Sequence, residues 1–303
     1  VKPHHFLTLS DLAPDVLTRI LARAIELKQE HNRGGVSQLL AGKAIAMIFE
    51  KSSTRTRVSF EAGVAQLGGS TLFLSPRDMH LDRGEPVEDT ARVMSRMVDA
   101  IVIRANSHQM VERFAAHSRV PVINALTDLH HPCQLLADIQ TWVEHRGSVA
   151  GKTAAWIGDG NNVCHSWMEA ARLFGFHLRI ATPEGYEPNP TFVAAAGNCV
   201  SLMREPSEAA RNADVIVTDT WASMGQEAEK AKRANAFEAF QVTPALMRLA
   251  KKDVLFMHCL PAYRGQEVAA EVIDGPQSVV WDEAENRMHA QKALLEFLLR
   301  PTQ

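Results

Sequence analysis

The strongest constraint on the fold of this chain is the alternation of short apolar runs with segments of helical periodicity along its 303 residues. In the first half, LAGKAIAMIFEK (40–51) reads as a turn followed by a buried strand ending near Glu50, and STLFLS (70–75), AIVIR (100–104) and VPVINAL (120–126) read as strands. Helical spacing fills 9–29, Thr54 to Leu67, Glu88 to Met97, and about Pro132 to Glu144. RGSVAG at 146–151 breaks the composition, and the pattern then restarts. KTAAWIGDG (152–160), FHLRIATP (176–183), ADVIVTD (213–219) and VLFMHCLP (254–261) read as strands with their exits. Helices are expected near 164–175, 191–203 and 226–240. SVVWDEAENR (278–287) reads as a last strand leading into a final amphipathic helix, roughly Glu283 to Leu299.

Strands alternating with helices throughout imply mostly parallel sheets covered on both faces. The expected fold class is therefore α/β. It has two domains, each a mostly parallel β-sheet flanked by helices, with a site in the cleft between them. The expected boundaries are 1–146 and 147–284, with the terminal helix of about 285–303 packing back on the first domain.

Composition narrows the function. Charged residues make up 22% and hydrophobic residues 46% of the chain, enough apolar side chains for a real core. The formal net charge is -3, which lacks the basic excess of a nucleic-acid binder. Cys133, Cys164, Cys199 and Cys259 form no CxxC pair, which argues against a zinc site or a disulfide framework and fits a reducing compartment. The amino-terminal residues lack the apolar core of a secretory signal, and no apolar run is long enough to span a bilayer. A cytoplasmic location is the expectation.

In open parallel sheets, ligands collect beyond the carboxyl ends of the strands. Polar clusters fall there repeatedly: 52–57, Arg104, His131 to Gln134, Asp159 to Asn162, Asp219 to Gly225, and His258 to Pro261. In FEKSSTRTRVSFEAG (49–63), Ser53 or Thr54 can cap the next helix and leave its first N–H groups free to meet an anion. A cap alone does not need Arg55 and Arg57, because cations in a first turn are mildly unfavourable. An anion held by a guanidinium fork explains them better. Arg57 has a second reading, an ion pair with Glu61 one turn on.

No Walker loop is present, and GDGNN (158–162) lacks GxGxxG. It reads either as polar groups for a small ligand or as a tight turn with Asx caps. His131 and Gln134 can present hydrogen-bond donors to an oxygen, or can serve as capping groups. Cys259 stands as a nucleophile only if a base accompanies it. No His, Cys and acidic set shows metal-ligand spacing.

Ser53-Thr54-Arg55-Thr56-Arg57, His131-Pro132-Cys133-Gln134, Asp219-Thr220-Trp221-Ala222-Ser223-Met224-Gly225 and His258-Cys259-Leu260-Pro261, in that order, resemble the ornithine carbamoyltransferase family over essentially the whole chain. The resemblance implies transfer of a carbamoyl group from carbamoyl phosphate to the δ-amine of L-ornithine, without cofactor or metal. It implies that Ser53, Thr54, Arg55 and Thr56 grip the phosphate and that Arg104 reaches phosphate and carbonyl oxygens. His131, Gln134, Arg287, Cys259 and Leu260 attend the carbamoyl part, and His80 lies in a loop that reaches a neighbouring subunit's site. Asn162, Asp219, Ser223 and Met224 correspond to the ornithine-binding residues. Arg55, Arg104, His131, Asp219 and Cys259 are the implied catalytic set.

The Ser-Met-Gly loop with His-Cys-Leu-Pro is what separates the ornithine enzymes from the aspartate, putrescine and acetylornithine relatives. A homo-oligomer, a trimer or a multiple of trimers, is the implied assembly, with no nucleic-acid or membrane partner. The alternatives are carbamoyl transfer to a related amine, a phosphosugar- or nucleotide-binding α/β enzyme, and a non-catalytic member of the family.

Overall fold

The structure is a computed structural model that describes residues 3–75, 79, 84–222 and 229–299. It divides into two compact units, one formed by Val1–Gln140 with Glu285–Gln303 and the other by Thr141–Ala284.

The first unit is built on β1 (Ala44–Phe49), β2 (Ser70–Leu74), β3 (Ala100–Arg104) and β4 (Val122–Leu126). All pairings are parallel, in the order β2-β1-β3-β4. Among its helices are α1 (Pro14–Asn32), α2 (Thr54–Gln66), α3 (Val87–Met94), α4 (His108–His117) and α5 (Pro132–Arg146). The inner strands read as continuous apolar runs because both of their faces are covered. All of β3 is buried, and β1 is buried from Ile45 to Phe49. Edge strand β2 is exposed or half-buried throughout. Ile48, Ile101, Ile103, Val111, Phe114 and Val122 form the core between the sheet and its helices.

The second unit holds β5 (Thr153–Ile157), β6 (His177–Ala181), β7 (Val200–Met203), β8 (Val215–Thr218) and β9 (Leu255–His258). They too are all parallel, in the order β7-β6-β5-β8-β9. Helices α6 (Asn162–Phe174), α7 (Pro190–Ala196), α8 (Pro206–Ala210), α9 (Lys230–Phe237), α10 (Pro244–Met247) and α11 (Ala270–Ile273) connect them. Ile157, Ile216, Phe237, Phe240, Phe256 and Val268 belong to one apolar core.

Each sheet reverses direction of growth once. In the first, β1 is followed outward by β2 while β3 joins its other side. In the second, β5 is flanked by β6 and β8. Those two reversals are switch points, where crossover connections leave on opposite faces and a crevice opens past the strand ends.

Two sequence expectations fail. The chain at 191–203 is not one helix. α7 ends at Ala196, Gly197 takes a positive φ of 55°, and Val200–Met203 becomes edge strand β7. The segment 278–287 is not a strand. Only Ser278 pairs, as an isolated bridge to Phe256, and helix α12 runs Val280–Leu299. Val280 joins the apolar core of the second unit as the first residue of that helix. Asp282 and Glu283 in the first turn suit a helix N-terminus.

Candidate active site

In the first unit, the segment after β1 runs into α2. Ser53 has an extended backbone, and its hydroxyl accepts the Thr56 N–H at 3.4 Å, so it is the N-cap. Thr54 opens the helix, exposed, and Arg55 follows, half-buried, with no hydrogen bond or ion pair among the described residues. Thr56 is buried. Arg57 turns away. Its Nε donates to Glu61 at 2.9 Å, and its guanidinium lies 3.7 Å over the Phe73 ring. The ion-pair reading of Arg57 is the one the structure bears out.

Arg104 ends β3, where the register with β4 slips between Ile103 and Arg104. Such a bulge re-aims the side chain that follows it. The Arg104 carbonyl accepts the Glu50 N–H at 2.9 Å, which ties the ends of β1 and β3 together at the switch point.

His131 directly precedes α5, with Pro132 at the first helical position, where a missing N–H costs nothing. Gln134 lies one turn in, and its Nε2 donates to Asp138 at 2.8 Å. Arg287, on α12, donates through Nη1 to Gln134 Oε1 at 2.6 Å and through Nη2 to Thr56 Oγ1 at 3.2 Å. Thr56, Arg287, Gln134 and Asp138 thus form one buried hydrogen-bonded chain. Because Thr56 Oγ1 accepts from Arg287, its own proton is left to point at another acceptor.

Burial holds the His131 imidazole well below its ordinary pKa, and the charges of Arg287, Arg104 and Arg55 push it further in the same direction. A neutral ring amid three guanidinium groups is an electrostatic arrangement for an anion with a neutral polar appendage.

In the second unit, Gly160 lets the β5–α6 turn pass the chain at 187–188. A Cβ there would lie 2.1 Å from the Pro188 nitrogen. Asn161 caps α6, its Oδ1 accepting the Val163 and Cys164 N–H groups at 3.0 and 3.1 Å. Its Nδ2 donates to Asp219 Oδ2 at 2.7 Å, so the Asx-cap reading of GDGNN holds and the cap is tied to Asp219. Asn162, the first residue of α6, is half-buried beside it.

Asp219 follows β8 directly. Its Oδ1 accepts the Thr220 N–H at 2.7 Å and the Cys259 thiol at 3.3 Å. The side-chain atoms of Asp219, His258 and Cys259 lie within 4.8 Å of one another. Both His258 ring nitrogens are engaged, Nδ1 by the Leu260 N–H at 2.9 Å and Nε2 by Glu267 at 3.0 Å. That leaves the His258 ring no lone pair for a metal or for the Cys259 thiol, which donates to Asp219 instead. Leu260 itself has a φ of 59°, in the left-handed region.

Sequence reasoning misses Arg233. This buried residue of α9 donates to Asp159 Oδ2 at 3.0 Å and to the Trp221 carbonyl at 2.9 Å. Burial outweighs the Arg233 charge and pushes the Asp159 carboxyl up to about 6. Only its place in a charged helical stretch hinted at it, and nothing local distinguishes it from its solvated neighbours. His80, Ser223 and Met224 lie outside the described residues.

Two parallel α/β units, the first with a guanidinium cluster around a neutral histidine and the second with a hydrogen-bonded Asp–Asn–Cys group, define the class. The comparisons place it. The family model described as aspartate/ornithine carbamoyltransferase, carbamoyl-P binding domain, matches 4–144, and the one described as the Asp/Orn binding domain matches 150–298. The chain is 62% identical over 299 residues to the ornithine carbamoyltransferase of Methylococcus capsulatus, covering 99% of each chain. It is 61% identical over 295 residues to that of Hydrogenovibrio crunogenus, covering 97% of this chain and 98% of the other. Among solved structures, the ornithine carbamoyltransferase from Pyrococcus furiosus matches at a TM-score of 0.93 and 50% identity, covering 97% of this chain and 96% of that one. The chain belongs to the aspartate/ornithine carbamoyltransferase family.

Proposed function

We propose that this chain transfers the carbamoyl group of carbamoyl phosphate to the δ-amine of L-ornithine, giving L-citrulline and phosphate. The observation that carries the reading is the convergence of Arg55, Arg104 and Arg287 on a buried, neutral His131. A phosphate dianion is the ligand such a field favours, and the carbamoyl group is its neutral appendage. Ser53, Thr54, Arg55 and Thr56 take the phosphate at the start of α2, where the free N–H groups add to the guanidinium charge. Arg104, His131 and the outward proton of Thr56 meet the carbonyl oxygen, which gains charge as the carbon becomes tetrahedral. Gln134, Leu260 and Arg287 hold the carbamoyl group. Asn162 and Asp219, with Ser223 and Met224, take the α-amino and α-carboxylate groups of ornithine. Asp219 and Cys259 orient the attacking nitrogen.

The chemistry sets a proton requirement. An alkylamine of pKa about 10 is charged at neutral pH and must lose one proton before its lone pair can attack. The nitrogen then bonds to the carbonyl carbon, the carbon–oxygen bond to phosphate breaks, and the nitrogen releases a second proton as the product amide forms. Exclusion of water protects carbamoyl phosphate from hydrolysis during these steps.

A homotrimer, or a multiple of one, in the cytoplasm completes the reading. Its supports are exposed Val58, Leu72, Val93 and Met97 on the first unit, and cysteines that are all free thiols. Among the described residues, no helix is long and apolar enough to cross a membrane.

The test is product formation from carbamoyl phosphate with L-ornithine, run beside aspartate, putrescine and N-acetylornithine. Citrulline with ornithine alone supports the proposal. Faster turnover with any of the other amines moves the assignment to that amine.

A further inference from the structure

The wall of the second unit that carries Cys259 and Leu260 rests on two fully buried groups that the proposed reaction does not use. His258 closes β9, and its main-chain N–H donates to Glu283 Oε2 at 2.9 Å. Its Nδ1 lies 2.9 Å from the Leu260 nitrogen. A backbone N–H can only donate, so Nδ1 is the bare nitrogen and the ring proton sits on Nε2. Nε2 then donates to Glu267 Oε1 at 3.0 Å. The same carboxylate oxygen accepts the Tyr263 N–H at 2.7 Å. His258 and Glu267 are each 0% exposed. Glu267 Oε2 has no partner among the described residues, so the carboxylate's whole hydrogen-bonding effort goes to the ring and to Tyr263.

The consequence is geometric. Leu260 sits at a positive φ of 59°, a conformation that strains a residue with a side chain. Its N–H is held there by a ring whose tautomer and plane are set by Glu267. The carboxylate also fixes the far side of the same turn at Tyr263. Cys259, between His258 and Leu260, has its thiol 3.3 Å from Asp219. A shift of the ring would therefore move the Leu260 backbone and the Cys259 thiol together.

We infer that Glu267 is a positioning residue. Through the Nε2 tautomer of His258 it sets where Cys259 and Leu260 stand, without touching substrate itself. The catalytic part of this inference rests on the carbamoyl-transfer reading above.

The experiment has two arms on the full chain. In the first, 15N-histidine NMR of the unliganded protein reads the His258 tautomer. A protonated Nε2 and bare Nδ1 are expected in the unsubstituted chain, and loss of that signature in Glu267→Ala. A His258 ring with its proton on Nδ1, or an unchanged signature in Glu267→Ala, overturns the inference. This arm does not depend on activity. If the unsubstituted chain makes no citrulline, the functional reading fails while the tautomer result still stands.

In the second arm, kcat and KM are measured for folded variants. Glu267→Ala is expected to lower kcat on the order of 100-fold, the scale of a misplaced reacting group, with Glu267→Gln restoring most of it through its amide oxygen. His258→Asn keeps an acceptor for the Leu260 N–H, whereas His258→Gln keeps only a donor towards Glu267. The asparagine variant should be the faster by roughly 10-fold, since it retains the bond nearest the site. Should Glu267→Ala fail to fold, the two histidine variants decide. Equal rates for them, or unsubstituted kcat in Glu267→Ala, overturn the positioning role.

Discussion

At the scale of single residues, the two arginines of FEKSSTRTRVSFEAG part company. Arg55 has no protein partner among the described residues and adds its charge to the field at His131. Arg57 is taken up by Glu61 and Phe73. Replacing them should therefore have different effects. Arg55→Gly should lower kcat by about 10³-fold, the upper range for removing a group that stabilises developing charge. Arg57→Met should cost about 1 kcal/mol of stability, read by urea unfolding, because an exposed i,i+4 pair and one cation–π contact are each worth less than that. Its KM for carbamoyl phosphate should stay close to the unsubstituted value. A large rise in KM would make Arg57 a ligand. The sequence could present both readings of Arg57 but could not choose, since the choice depends on Phe73, which comes from another strand. The motif residues were legible because their chemistry is unusual where they stand. Arg233 and Glu267 were not, because a buried charge looks in sequence like any solvated one.

At the scale of elements, the sequence revealed the strands that are buried on both faces and blurred those that are not. β1, β3, β5, β8 and β9 are apolar runs with clear ends. Edge strand β7, VSLM, merges in sequence with the helix before it because Leu202 is exposed and its other three residues are only half-buried. At the start of α12, the β-branched Val279 and Val280 favour a strand by propensity alone. Tertiary burial of both residues, with acidic groups in the first turn, overrode that preference.

Two predictions belong at this scale. Gly160→Ala would press a methyl group against the rigid backbone at Pro188. A loss of 1–3 kcal/mol is expected, the usual range for forced overpacking, measured by chemical denaturation, and an unchanged midpoint would contradict the close approach. Arg233→Met would leave the Asp159 carboxyl buried without its counter-charge, at a cost of about 3 kcal/mol. Adding Asp159→Asn should recover part of that loss. Strict additivity of the two substitutions would show that the pair does not act as a unit.

At the scale of the whole molecule, both sheets place their polar clusters at equivalent points. Ser53 to Thr56 and Arg104 follow the strands on either side of one switch point, and Asn161, Asn162 and Asp219 follow those on either side of the other. The clustering at strand ends was visible in sequence, but the strand order that explains it was not, because pairing depends on contacts far apart in the chain.

The buried histidines give the molecule a direction of pH dependence. His131 is held well below its ordinary pKa and His289 at about 3, both by burial first and by nearby cations second. Their unfolded-state value is near 6.5. Below that pH the unfolded chain binds protons that the folded chain refuses, so stability falls as pH drops. Asp159, raised to about 6, acts in the opposite sense between its unfolded value near 3.8 and 6, as a single group. Urea midpoints at pH 7, 6 and 5 should therefore decrease in that order. A flat or rising series would contradict the buried neutral histidines.

The central claim, that the guanidinium cluster activates carbamoyl phosphate for capture by the ornithine δ-nitrogen, is tested most directly by following the carbamoyl carbon. With 13C-labelled carbamoyl phosphate and L-ornithine, carbon NMR should show the label passing to the ureido carbon of citrulline with the unsubstituted chain and failing to do so with Arg55→Gly. Label that passes only to hydrolysis products with the unsubstituted chain, or citrulline formed equally fast by Arg55→Gly, would contradict it.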